Sequence, residues 1–238
     1  MSLKVVQVRF AGRFGNNLFQ YAFGRALAER YGAELQTEPW VGQQIFPQVK
    51  ENPISQNGVE IFEPKGNFDA HEILRLTGFF QKSFYTQMFT RSQARRWFEI
   101  KPDLRITSTA EKVFHIRWGD KLQEPFSPVV SKQSYVRAAQ KFGYDPVQFK
   151  EVSEADPHTN PTLPGHLQFL VDFQILSKTQ VLFRGNSSFA WWTAVLGNPK
   201  VYSARINGLR GLSDCEFEEG NHCPFLSENQ PDISNPPE

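Results

Sequence analysis

Hydrophobic and polar positions fall into blocks that read as strands and helices in turn. Residues 4–10, carrying Val5, Val6 and Val8, predict a buried strand. A loop over 12–15 follows, then a helix over about 17–31. In that helix Leu18, Ala22 and Ala26 form one apolar row, with Phe19, Phe23 and Leu27 beside it. Gly32 is placed as its C-terminal stop. Residues 38–66 are rich in Pro, Gly, Gln and Asn and predict loop, with one short strand near 59–62. A strand over 75–80 and a helix over 83–98 complete the first part. After Lys101-Pro102-Asp103 the pattern restarts. It predicts strands over 111–117, 147–152, 180–183 and 200–203, and helices over 131–142, 165–177 and 187–196, with a loop over 155–161. This alternation implies parallel strands joined by crossover helices, an α/β fold. A domain boundary near 107–109 divides the chain into 1–108 and 109–212. The acidic, Pro- and Asn-rich tail 213–238 is expected to be partly irregular, and the chain has no internal repeat.

Composition narrows the class of ligand. With 39% hydrophobic and 21% charged residues, the 238-residue chain has the makings of a substantial core. An aromatic-rich interior accounts for most of its 22 Phe. The formal net charge of +1 argues against broad electrostatic binding of nucleic acid, so any anion is gripped locally. No run approaches the about 18 apolar residues of a membrane span, and the N-terminus lacks a signal-peptide pattern. The expectation is a cytoplasmic protein, peripheral at the inner membrane face at most, with Cys215 and Cys223 reduced. His222 beside Cys223 has no evident fourth ligand, so no metal is assigned.

Three strand-end segments carry candidate chemistry. His115-Ile116-Arg117-Trp118-Gly119-Asp120 closes the strand at 111–117, and strand periodicity sets His115 and Arg117 on one face. The carboxyl edge of an open α/β sheet is where ligands bind, and a guanidinium there can hold a diphosphate by paired, charge-assisted hydrogen bonds. Asp120 has three open roles: to orient Arg117, to receive a proton, or to cap the next segment. The second segment, Gly12, Arg13, Gly15, Asn16, Asn17 and Gln20 at a helix start, is more polar than a cap requires. It matches neither the dinucleotide glycine spacing nor the Walker sequence. The third, Gly185-Asn186-Ser187-Ser188, offers hydroxyls and backbone N–H groups where a helix begins; it suits either a phosphate cradle or plain N-capping. Asp172 interrupts the apolar run 167–176 and needs a buried partner, a nucleobase being one. Trp191-Trp192 is expected to pack in the core.

Together these stretches resemble the α1,2-fucosyltransferases of glycosyltransferase family 11, within the wider α1,2-/α1,6-/protein O-fucosyltransferase superfamily. Gly12, Gly15, Asn16, Leu18, Phe19, Gln20, Tyr21 and Ala22 match the first motif of that family. His115 to Asp120 is similar to its His-x-Arg-Arg-x-Asp motif, and Asn186 to Trp192 to its Asn-Ser-Ser-Phe-Ser-Trp-Trp segment. The lead-in 170–177 and Gly78-Phe79-Phe80-Gln81 also resemble family segments. Trp118 replaces the second motif Arg, and Asn17 stands where many members carry Gln.

The resemblance implies a GT-B-like fold, two Rossmann-like halves facing a nucleotide-sugar cleft, with an acceptor-side N-terminal half. It implies an inverting transfer of L-fucose from GDP-fucose to a glycan hydroxyl, α1,2 to galactose, without divalent metal or other cofactor. The setting would be polysaccharide assembly. Arg117 would grip the β-phosphate and steady the leaving group, His115 and Asp172 would contact guanine, and Ser187 and Ser188 the phosphates, with Asn186 in the same donor segment. The loop Gly12, Arg13, Gly15, Asn16 would close over the donor. Asp120 is the candidate general base. A transferase using another nucleotide sugar, or a glycan- or nucleotide-binding protein without turnover, fits the same residues. The oligomeric state stays open.

Overall fold

The computed structural model describes residues 2–50, 52–119, 122, 128–206, 209 and 211–222. Two compact units make up the chain, the first ending at Asp103 and the second beginning at Leu104.

The first unit runs β1 (Val5–Val8), α1 (Phe14–Tyr31), β2 (Glu34–Thr37), α2 (Gly42–Ile45), β3 (Val59–Phe62), β4 (Ile73–Thr77), α3 (Ser83–Thr86) and α4 (Arg91–Trp97). Its four strands are all parallel, in the order β2-β1-β4-β3. Helix α1 begins at Phe14 rather than Asn17, and Gly32 ends it in the left-handed region (φ 63°) with its N–H on the Ala28 carbonyl. Phe23, Leu27 and Ala28 of α1 pack with Val6, Val8, Leu74 and Leu76 in one buried cluster. Gly24 allows the approach, because a Cβ there would run into the Val8 side chain.

The other face of this sheet carries a polar row at its centre. Gln36, Gln7 and Arg75 are neighbours across β2, β1 and β4, and all three are buried. The Gln7 amide donates to Gln36 Oε1 (3.1 Å) and to the Gln56 carbonyl (2.8 Å), while Arg75 Nε donates to Gln7 Oε1 (3.0 Å). This explains why β2 escapes the hydrophobic pattern: its two buried residues are Gln36 and Thr37. The helix expected over 83–98 is two helices. Thr90 starts the second with a reciprocal capping box to Gln93.

The second unit contains β5 (Lys112–Ile116), β6 (Pro128–Val130), α5 (Lys132–Lys141), β7 (Lys150–Ser153), α6 (Phe169–Lys178), β8 (Val181–Arg184), α7 (Ser188–Leu196), β9 (Lys200–Ala204), β10 (Gly211–Ser213) and β11 (Phe217–Glu219). Five strands form one sheet in the order β11-β9-β8-β5-β7, parallel except for β11, and β6 pairs with β10 apart from it. The strand expected at 147–152 starts later, because Pro146–Gln148 is a 3-10 turn capped by Asp145. The polar run after Ser213 contributes β11, whose Phe217 is buried against the core.

Aromatic rings dominate that core. Phe114 stacks on Phe149 (centroids 4.2 Å apart) and Phe183 on Tyr202 (4.4 Å), with Tyr135 and Phe217 closing the cluster. Such pairs add about 0.5–1.5 kcal/mol each beyond their burial. No helix among the described residues is long and apolar enough to cross a membrane. Phe183 is fully buried at the centre of these contacts. Phe183→Ala is therefore expected to cost about 3–5 kcal/mol, read in urea unfolding as a lower midpoint at unchanged slope.

Candidate functional site

The parallel ladder β8-β5-β7 brings three chain segments to one carboxyl edge. His115 pairs in register with Arg184 of β8 and with Val152 of β7. Beyond the strand ends lie Arg117, Glu154 and the segment Gly185-Asn186-Ser187, where α7 begins. Arg117 Nη1 forms an ion pair with Glu154 Oε2. The Arg117 side chain is mostly buried, and that of Glu154 is partly exposed. Glu154 is a site residue that sequence reasoning missed. It follows a predicted strand, but only the sheet order shows that this strand lies beside β5. Asp120, the carboxylate expected near Arg117, lies outside the described residues.

His115 is buried, and its ring lies 6.2 Å from the Phe189 ring at 25°. Its Nδ1 has no hydrogen-bond partner among the described residues. Burial, helped by the positive charge of Arg184, pushes the imidazole pKa down to about 3. The ring is neutral at physiological pH, so it can offer one N–H and one lone pair. Arg184 is almost wholly buried. It donates to Asn221 Oδ1 (2.8 Å), to the Gly185 carbonyl (3.2 Å) and to the His222 carbonyl. It thereby ties the start of the Gly185 segment to the chain just after β11.

Asn186 Oδ1 is another buried polar atom without a hydrogen-bond partner among the described residues. Ser187 caps α7, its Oγ accepting from the Ala190 N–H at 3.3 Å, so its hydroxyl proton remains a donor. Ser188 is the first residue of the helix. Helix start and serine hydroxyl can receive an anion, and the Asn186 amide oxygen can accept from a polar ring's N–H. Asp172, in the first turn of α6, is buried, and its carboxylate accepts from the His158 N–H (3.3 Å) and faces His158 Nδ1 at 2.7 Å. Burial raises the Asp172 pKa, and the His158 contacts oppose the rise. His158 could not be read as this partner from local pattern, because the two residues sit on different elements. Trp118 donates Nε1–H to the Val130 carbonyl (3.0 Å) and packs against the aromatic core. Trp191 and Trp192 are fully buried and meet edge to face, as core residues do.

In the first unit the loop after β1 is held by its own polar groups. Gly12 has φ 77°, and a Cβ there would collide with Asn16. Arg13 is the N-cap of α1, its carbonyl accepting from the Asn16 and Asn17 N–H groups (2.8 and 3.1 Å). Gly15 lies buried in the first turn. Asn17 donates to the Ala11 carbonyl (3.3 Å) and to Gln20 Oε1 (3.2 Å), while Gln20 donates to the Gly78 carbonyl (2.8 Å). Asn16 Oδ1 accepts from Gln81 (2.8 Å). The polar excess at this helix start thus joins two neighbouring strand ends, β1 and β4. Asn17 and Gln20 are scaffold, and Gly12, Arg13 and Asn16 form the loop they hold. Among the described residues no group of three or more His, Cys, Asp or Glu is placed to hold a metal ion.

Comparison with solved structures places this architecture. NodZ α1,6-fucosyltransferase co-crystallized with GDP superimposes with a TM-score of 0.58 at 13% identity, covering 92% of this chain and 99% of that one. Fucosyltransferase NodZ from Bradyrhizobium gives 0.56, also at 13% identity, with the same coverage. A mutant of Arabidopsis thaliana FUT1 in complex with GDP gives 0.51 at 11% identity, covering 91% of this chain and 74% of that one. The chain has the GT-B-like fold of these fucosyltransferases. No protein-family model matches the sequence, and no curated protein does.

Within this GT-B-like chain the depressed pKa of His115 has a stability consequence. The unfolded chain takes up the proton near the ordinary pKa of about 6.5, and the folded chain only near 3. Between those values the unfolded state binds more protons, so stability falls as pH drops. Denaturant melts of His115→Gln, set beside the parent chain, are expected to lose this part of the slope between pH 6.5 and 3.

Proposed function

We propose that this chain is an inverting fucosyltransferase, moving L-fucose from GDP-fucose to a glycan hydroxyl. The observation that carries the reading is one strand end of the second unit. A neutral, buried imidazole at position 115 and a confined guanidinium at 117 sit together there, next to the start of α7. Neutral His115 suits a nucleobase edge, and Arg117 suits a diphosphate. The hydroxyls of Ser187 and Ser188 and the amide of Asn186 complete a donor-binding edge, with Asp172 as a further base contact through the carboxylate that His158 orients. In the first unit, the loop Gly12, Arg13, Gly15, Asn16 is assigned anion contact at a helix N-terminus. The fold shared with fucosyltransferases solved with GDP supports the same reading.

In the proposed step an acceptor hydroxyl oxygen attacks the anomeric carbon of the β-linked donor. The carbon–oxygen bond to GDP breaks on the opposite face, which leaves an α-linkage. The proton passes to a base, for which Asp120 is the candidate. The bonding pair leaves with GDP, and Arg117 stabilises the charge that develops on its β-phosphate. No metal is assigned to this role. An α1,2 linkage to galactose is proposed on the motifs at 12–22, 115–120 and 186–192. The likeness to NodZ, named as an α1,6 enzyme, makes α1,6 the alternative.

Calorimetric titration is expected to show GDP binding at least about tenfold tighter than UDP or ADP, the order of discrimination that one set of polar base contacts provides. Preference for UDP overturns the donor assignment. With GDP-fucose and a galactoside, Arg117→Ala is expected to lower turnover by about 10²–10³, and a chelator should leave transfer intact. Methylation analysis of the product reads the linkage. A chain that binds GDP yet releases no product from any acceptor is a binding protein.

A further inference from the structure

We infer that Glu154 is a positioning residue, which acts on the reaction through Arg117 and not by touching substrate. This rests on the proposed role of Arg117 as the cation for the departing diphosphate. The β5–β7 ladder ends with Ile116 opposite Ser153, so Arg117 and Glu154 occupy the next rung, face to face across parallel strands. There Arg117 Nη1 and Glu154 Oε2 pair. Gly119 closes over the pair with φ 36°, and a Cβ at that position would strike Glu154 Oε2 while lying 3.4 Å from Arg117 Nη1. Only a glycine leaves room for this contact.

The arrangement solves a problem that every strand-end arginine meets. A long, rotamer-rich side chain leaving the end of a ladder has many orientations, and a diphosphate needs one of them. A carboxylate fixed on the neighbouring strand selects that orientation before the ligand arrives. It uses one of the five guanidinium N–H donors and balances a mostly buried charge. The other donors keep their direction.

A double-mutant cycle separates this role from others. Glu154→Gln is expected to lower kcat for fucose transfer by about 10- to 100-fold, the scale of a misplaced catalytic group. In an Arg117→Ala background the same substitution should change nothing further. Gly119→Ala, which evicts the carboxylate while keeping Glu154, should reproduce the loss and add nothing to Glu154→Gln. Thermal melts confirm that the variants are folded. Equal losses in both backgrounds overturn the inference, since Glu154 would then act independently of Arg117. Tighter GDP binding by Glu154→Gln at undiminished kcat also overturns it, because the carboxylate would be a competitor for the cation. A parent chain that neither binds GDP nor transfers fucose sinks the functional reading along with this role; additive losses in an active chain sink the role alone.

Discussion

The parallel pairing of β5 with β7 on one side and β8 on the other is the constraint from which the candidate site follows. Parallel strands deliver their carboxyl ends to one edge, so three loops distant in sequence converge there. Register then decides which side chains meet. His115 faces Arg184 within the ladder, and Arg117 faces Glu154 just beyond it. A shift of one residue would turn His115 into the opposite layer and leave the guanidinium without its carboxylate. The aromatic stacks of Phe114, Phe149, Phe183 and Tyr202 hold that register, because each ring is fixed on a different strand or strand lead-in.

Charge at this edge is managed by burial as much as by pairing. His115 is kept uncharged by desolvation and by the neighbouring Arg184. Arg184 spends its donors on Asn221 and on two backbone carbonyls and so shapes the segment that begins α7. Asp172 is turned toward His158. His115 Nδ1 and Asn186 Oδ1 are among the buried polar atoms without a hydrogen-bond partner among the described residues. Such groups cost about 1–3 kcal/mol unless a ligand completes them. The Cys215 thiol shows the opposite outcome: burial raises its pKa to about 11, and it is inert packing.

The first unit departs from the usual parallel sheet, whose strands are apolar on both faces. One face is apolar under α1, and the other carries the Gln36–Gln7–Arg75 row tied to the Gln56 carbonyl. Hydrogen bonds with fixed partners replace side-chain packing there. The polar cluster at the start of α1 works in the same way, Asn17 and Gln20 linking the ends of β1 and β4. The polar groups that exceed the need of a helix cap, Asn17 and Gln20, thus frame the loop.

Local periodicity was enough to reveal the α/β alternation, the strands around 5–8, 112–116, 181–184 and 200–204, and the helices whose apolar rows repeat every three or four residues. It failed where burial is polar, as at β2, and where a cap interrupts an apolar run, as at Thr90. The strand-end motifs were legible as well, since His115, Arg117, Asn186 and Ser187 are close to one another along two short stretches. Their partners were not. Glu154 and His158 are bound to Arg117 and Asp172 only through strand order and helix docking, and neither leaves a mark in the order of residues. Which groups are candidates for the chemistry was therefore written in the chain by itself. Which carboxylate holds the arginine, and which polar atoms are left open, was decided by tertiary structure, because register across a sheet sets distances between residues that local sequence cannot relate.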